Sequence, residues 1–389
     1  MPATADLELL APAAAPSRHS SAAYDARRLL WVSFAFFVAG VGIGVGWDRR
    51  WHATHPFEDF FSPPHLFIYS NVLLAAAVAV YVTFNARLRG AFGRGETLPL
   101  FRFRVPGPLM LLGAGFVTIG LGGLCDSVWH TLFGLDETGW SLPHAMLGHG
   151  ILLATLGFVA TRLVLPGRLS WFATGLLGFV LLTVSLDLIG GPILRNPPPN
   201  ALRAIAALPV LANDPAYQHT SRIYLTWNLD RTNWLYLPLI AFGVGFGLRL
   251  LQRLTGPHDR WLVLVASIGL VLGVLDAEGR GWGRLLLVPP FLPAVAGYAA
   301  LRLAGVRGRW AWLGAGWCAC LASLVFVPSV ALAIACGPLA VLGAWLGERI
   351  LSVVERPRRQ TVVLTWLVIG LAIPVVSGAL DLYLRQHTA

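Results

Sequence analysis

The chain predicts an all-α fold, a polytopic membrane bundle of about eleven transmembrane helices with two metal-type hairpins in its N-terminal half. Three observations carry this. Of the 389 residues, 56% are hydrophobic and only 12% charged, with 15 Trp and 42 Gly, a balance foreign to soluble domains. Apolar runs of the roughly 20 residues needed to cross the hydrocarbon core recur along the whole chain. Arginines gather in alternate linkers between those runs, the positive-inside pattern of multi-pass proteins.

The expected spans lie near residues 29–47, 65–86, 107–125, 142–166, 169–190, 234–253, 259–278, 284–304, 309–328, 332–351 and 361–384, the pair around Pro328 having almost no polar linker between its members. Ahead of them, residues 1–28 begin with an Ala-, Pro- and Ser-rich stretch, expected to be a disordered cytoplasmic tail. No cleavable signal is expected, because the first apolar run is long and lacks a small-residue cleavage site. Arg27 and Arg28 precede the first span, and Arg87, Arg89, Arg94, Arg102 and Arg104 crowd the linker after the second. Further clusters at Arg162/Arg168, Arg249/Arg253/Arg260, Arg302/Arg307/Arg309 and Arg349/Arg356/Arg358/Arg359 continue the alternation. It predicts a cell-membrane protein with its N-terminus cytoplasmic and its C-terminus outside. The net charge of +10 is therefore topology rather than a nucleic-acid footprint.

Four regions follow: the tail, a motif-bearing transmembrane region over 29–190, an external loop over 191–233, and a C-terminal transmembrane bundle over 234–389. The loop opens with RNPPPN and holds Asp214, His219, Asn228 and Asp230. Its length suggests a lid, a partner surface, or an amphipathic segment such as ALRAIAALPVLA. Cys125, Cys318, Cys320 and Cys336 all fall in or at the ends of apolar runs, where disulfides are not expected. Cys318 and Cys320 point about 200° apart on a helix, which favours packing over a metal pair. GVGIGVG, Gly40 to Gly46, looks like a phosphate loop but lies inside a span, where small residues serve close helix packing. Neither G-x-S-x-G nor H-E-x-x-H occurs, removing the commonest hydrolase readings.

The chemistry-bearing residues concentrate in two stretches of one design. WDRRWHATHPFEDFFSPPH carries Asp48, Trp51, His52, Ser62, Pro64 and His65, and CDSVWHTLFGLDETGWSLPH carries Asp126, Trp129, His130, Ser141, Pro143 and His144. Each reads helix, D-x-x-W-H, short external loop, S-x-P-H, helix. Asp and His four apart lie on one helix face if the helix continues through the motif, and hairpin geometry returns the second His towards them. One carboxylate and two imidazoles from neighbouring helix ends suit copper, zinc or iron and leave positions open for water or dioxygen. The blander account is an Asp–His hydrogen bond at a helix end, with interfacial Trp and a Ser-x-Pro helix start. Duplication in a chain poor in polar groups favours the metal account, since ionisable groups at membrane depth are functional candidates by default.

This arrangement resembles the C subunit of the copper membrane monooxygenases, the particulate methane and ammonia monooxygenase family. Asp48, His52 and His65 match its first ligand set in residue type and spacing, and Asp126, His130 and His144 match its second set in spacing. Asp126 stands where that family carries Asn, which would make the second site more anionic. The resemblance spans about 100 of the 389 residues. It implies copper as cofactor and oxidation of a small apolar substrate that arrives through the lipid bilayer, with electrons from a quinol or another donor. It also leaves room for partner subunits or a homo-oligomer.

Nearby groups have weaker claims. His55 is a loop residue or an extra ligand, and Asp59 and Asp136 are solvated carboxylates or orient a ligand ring. His149 faces about 140° away from His144 and is expected to hydrogen-bond between helices. Asp187, Asp276 and Asp381 each precede an arginine, Arg195, Arg280 and Arg385, favouring salt bridges over proton relays. Competing functions are metal (copper or zinc) binding or transport without redox catalysis, haem binding through paired His, and a purely structural subunit. With three Met in the chain and the motif His confined to one face, a ligand ladder through the membrane is poorly supported.

Overall fold

The structure is a computed structural model describing residues 18–52, 60–93, 95–98, 102–133, 141–165, 245–246, 249, 291–323, 330–355 and 357–387. Those residues are mostly helical. α1 (Arg18–Val38), a π-helical stretch π1 (Ala39–Gly44) and α2 (Val45–His52) form one continuous run. Then come α3 (Pro63–Phe84), the short α4 (Ala86–Gly90), a two-stranded antiparallel ribbon of β1 (Glu96–Thr97) and β2 (Arg104–Val105), α5 (Gly107–Phe133) and α6 (Leu142–Val164). After residue 290 follow α7 (Phe291–Leu303), α8 (Arg309–Ser323), α9 (Val330–Glu355), α10 (Arg359–Thr365), the π-helical π2 (Trp366–Ala372) and α11 (Ile373–His387).

Among the described residues, five helical stretches are long and apolar enough to cross a membrane: Ser21–Asp48, Pro63–Phe84, Gly107–Trp129, Leu142–Val164 and Arg359–Ala379. The expected spans at 169–190, 259–278 and most of 234–253 lie outside the described residues, as do the loop 191–233 and the turn at Pro328. The first helix begins at Arg18, well before the expected start at 29, so the C-terminal part of the expected tail is helical. Burial accounts for the extension: Ala22, Ala23, Ala26 and Leu30 are all buried, and Asp25 pairs with Arg87 at 2.7 Å beside the end of α3. The ribbon was not expected, since two residues a side leave no periodic signal. It pairs Glu96 with Val105 and Thr97 with Arg104.

Small residues set the helix contacts. Across α5 and α6, Gly115 faces Ala154, Gly150 faces Ile119 and Gly157 faces Leu112 with no room for a side chain, so the two backbones meet closely. Gly40 and Gly44, from the glycine run in π1, abut Ile68 of α3 in the same way, as packing rather than a phosphate loop. Ser33 donates to the Ala75 carbonyl at 2.7 Å on the same α1–α3 seam. The two hairpins join through an aromatic cluster in which Phe34 and Phe37 of α1 meet Phe158 of α6, and Phe37 also meets Phe116 of α5.

The C-terminal α10–π2–α11 run lies along α5 and α6, where Trp366 donates to Thr118 Oγ1 at 3.0 Å and Gly378 abuts Leu142. Among α7, α8 and α9 the seams are again small: Gly297 abuts Cys318, and Gly337 abuts Leu313. Cys318 and Cys125 are free thiols. Large apolar side chains remain exposed, among them Leu73, Val80 and Phe84 on α3 and Leu364, Val375 and Val376 near the C-terminus. Such faces are liabilities in water and ordinary in lipid.

Charge separates along the bundle. Asp25 with Arg87 joins the start of α1 to the end of α3, and Arg27 and Arg162 share one cleft between the start of α1 and the end of α6. Gly107, at the start of α5, abuts Pro357 just before α10. Arginine-bearing helix ends therefore gather at one end. Asp48, His65, Asp126 and His144 sit at the other.

Candidate functional site

The first cluster is built where α2 ends and α3 begins. Helix persists through His52, so Asp48 and His52 occupy one face a turn apart. Pro63 and Pro64 open α3 at positions whose N–H groups need no helical partner, which sets His65 in the first turn facing back towards α2. Asp48 Oδ1 lies 3.2 Å from His65 Nε2, and these side chains are only 16% and 15% exposed. The His65 ring stacks on Tyr69 one turn further along, at 5.6 Å between centroids and 25° between planes. Trp47 lies edge-on to Phe67 and closes the same seam.

The second cluster uses α5 and α6. Helix persists to Phe133, carrying Asp126 and His130 on one face, and Pro143 opens α6 just ahead of His144. Asp126 Oδ1 stands 4.0 Å from His144 Nδ1; the carboxylate is buried and the ring 39% exposed. Ser141 Oγ is 3.2 Å from the same Nδ1. Copy two thus turns Nδ1 towards the acid, whereas copy one presents Nε2.

Both serines occupy the residue before their helix, as a Ser-x-Pro start implies, yet neither caps it with its side chain. Ser141 engages the His144 ring. Ser62 Oγ is buried without a hydrogen-bond partner among the described residues. Position 148, the counterpart of Tyr69, is Gly, so that position offers the second ring no side chain to stack on. Trp129 is buried. His149, expected to bond between helices, turns its Nδ1 to the Ala145 carbonyl of its own helix at 2.7 Å instead. Its i−4 carbonyl is the nearer acceptor.

Two donors bound at 2.0–2.1 Å to one tetrahedral ion stand about 3.3 Å apart, so the 3.2 Å between Asp48 and His65 fits two ligands of one ion. At 4.0 Å the Asp126–His144 pair fits a wider angle about the ion. The hard oxygen and borderline nitrogens suit copper, zinc or iron rather than a thiolate-seeking ion. Among the described residues no group of three potential ligands is complete; the side chains of His52 and His130 lie outside them, as do His55, Asp59 and Asp136. Of the outer acids, Asp187 and Asp276 and the side chain of Asp381 are likewise outside. Tyr69 was missed in the sequence, although its position four after His65 in an expected helix is the signal that could have found it. The chain matches no family model, no curated protein and no solved structure.

Proposed function

We propose that this chain is a membrane metalloprotein of about eleven spans in which each repeated hairpin holds one metal ion, through Asp48, His52 and His65 and through Asp126, His130 and His144. Copper is the proposed ion, and oxidation of a small apolar substrate the proposed reaction. The observation that carries the reading is the 3.2 Å approach of Asp48 Oδ1 to His65 Nε2 across two helix ends, with His52 one turn along from the acid. A second acid and ring approach to 4.0 Å in the matching motif.

In this reading the carboxylate and imidazoles hold the ion and fix its open positions, and a bound copper ion would supply dioxygen activation. The chain does the rest. Asp48 holds the His65 ring in a defined orientation and offsets positive charge in a place where an isolated cation would be costly. Tyr69 restricts that ring by stacking. The apolar outer faces of α3 and α11 admit substrate from lipid and keep water away. Sidedness follows the arginine pattern, with the basic end cytoplasmic and the motifs outside.

Metal analysis of the purified full chain tests this. One to two copper ions per chain are expected, falling by about half in either His52→Ala or His130→Ala and to background in the double variant. An Asp–His pair that merely braces two helices predicts instead a protein that binds no metal and loses only stability when either residue is changed. Zinc bound in place of copper, with no substrate-dependent oxygen uptake, would keep the sites and overturn the oxidase.

A further inference from the structure

At the basic end, the β1–β2 ribbon and the start of α10 border a groove that the metal reading leaves unused. Pro357, just before α10, abuts Gly107, two residues past β2, which sets the two elements side by side. Glu96 of β1 lines one side of the groove, and Arg358, Arg359, Val363, Leu364 and Leu367 line the other. Both arginines are exposed, and neither guanidinium has a hydrogen bond or ion pair among the described residues. Glu96, although in the same groove, pairs with neither. Thr361 fixes the arginine-bearing turn: its Oγ1 accepts the Arg358 N–H at 2.9 Å and its hydroxyl donates to the Arg358 carbonyl at 2.8 Å. Two guanidiniums against one carboxylate leave one positive charge over.

The groove holds about 560 Å³ of open space, within the roughly 300–1,000 Å³ of small-molecule sites and ample for a phosphoglycerol headgroup. Beyond the arginines, Val363, Leu364 and Leu367 are all exposed, one turn apart on one stripe of the helix, within a stretch apolar enough to cross a membrane. Charge at the mouth and an open apolar stripe running inward match an amphiphile with an anionic head. We propose that this groove binds an anionic phospholipid of one net negative charge. Arg358 and Arg359 donate to the phosphate oxygens, which the planar guanidinium fork suits, and an acyl chain lies along Val363, Leu364 and Leu367. Glu96 accepts from the hydroxyls of a glycerol headgroup and repels any second phosphate. A soluble nucleotide would leave the apolar stripe bare. Basic segments beside a span are a recurring form of anionic-lipid recognition.

The test titrates the full chain in detergent with phosphatidylglycerol, phosphatidylethanolamine or phosphatidylcholine of equal chain length and counts retained lipid by native mass spectrometry. Phosphatidylglycerol should bind roughly fivefold more tightly than phosphatidylcholine, the size expected of one net guanidinium at a membrane surface. The preference should be lost in Arg358→Gln/Arg359→Gln and should grow in Glu96→Gln, which removes the opposing charge. All three side chains are exposed, so these variants should fold. Arg307→Gln, at an exposed arginine between α7 and α8 that does not line the groove, should leave the preference unchanged. Equal retention of phosphatidylglycerol and phosphatidylcholine, a preference that survives in the double variant, or an equal loss in Arg307→Gln overturns the proposal. Phosphatidylethanolamine bound most tightly of the three, with that advantage lost in Glu96→Gln, would overturn it in favour of a zwitterionic lipid. Displacement of bound lipid by millimolar inorganic phosphate would overturn it in favour of a soluble anion.

Discussion

At the scale of single residues, the two motifs are alike in composition and unlike in detail. Asp48 meets Nε2 of a ring stacked on Tyr69, while Asp126 stands farther from Nδ1 of a ring that also engages Ser141. Ser141→Ala should therefore alter the second site and leave the first intact. Copper content per site, followed by electron paramagnetic resonance with the other site disabled by His52→Ala or His130→Ala, checks this; equal effects of Ser62→Ala and Ser141→Ala on their own sites would contradict it. Asp48→Asn keeps the shape and removes the charge, so metal affinity at the first site should fall 10- to 100-fold or more, the scale of losing an oriented ligand shell. The meeting of Asp with the second His was legible from spacing alone. Which ring nitrogen faces the acid was not, because it depends on a side-chain rotation that spacing leaves free.

At the scale of elements, helix positions followed from hydropathy and helix ends from local chemistry. The expected spans 65–86 and 142–166 correspond closely to Pro63–Phe84 and Leu142–Val164, because a Ser-x-Pro start marks each beginning. The span expected at 107–125 runs on to Phe133, and that at 29–47 extends at both ends. Hydropathy stops counting at Asp, Arg and His, whereas a helix continues through them when its backbone bonds are satisfied within the helix. The π-helical turns left no sequence signal stronger than the glycine run at Gly40–Gly46 and Pro374, whose missing N–H interrupts the α pattern just after π2. Glycine contacts give a paired prediction on α5. Gly115→Leu forces a side chain into Ala154 of α6 and should cost on the order of 1–3 kcal/mol, whereas Gly113→Leu, with nothing within 4 Å, should be close to neutral. Thermal melts of both variants in detergent check it; equal melting temperatures would mean that the α5–α6 seam is not as close as described.

At the scale of the whole molecule, the bundle has two chemically distinct ends. Arginines gather at one end, with Arg89 lying over Phe103 at 4.1 Å and Arg87 paired with Asp25, and the acid–imidazole pairs lie at the other. The exposed Arg87–Asp25 pair contributes at most about 1 kcal/mol, so its chief interest is positional. Single cysteines introduced at Arg94 and Phe61, in a background with the native cysteines replaced, should react differently with impermeant thiol reagents: Phe61→Cys in intact cells, and Arg94→Cys only after the membrane is permeabilised. Labelling of both in intact cells would overturn the topology. The helical, strongly apolar character, with helices long enough to cross a membrane, was legible in composition before any motif was considered. The assembly of α10–α11 against α5 and α6 was not, because the Trp366–Thr118 bond and the Gly378–Leu142 contact join residues more than two hundred positions apart, and no local pattern records them.

The most direct test of the central claim is the copper stoichiometry of the purified full chain beside that of its His52→Ala/His130→Ala double variant. One to two ions per native chain and none in a folded double variant are expected. A native chain free of copper after loading and washing, or a double variant that retains the same content, would show that the paired acids and imidazoles fasten helices together and hold no metal.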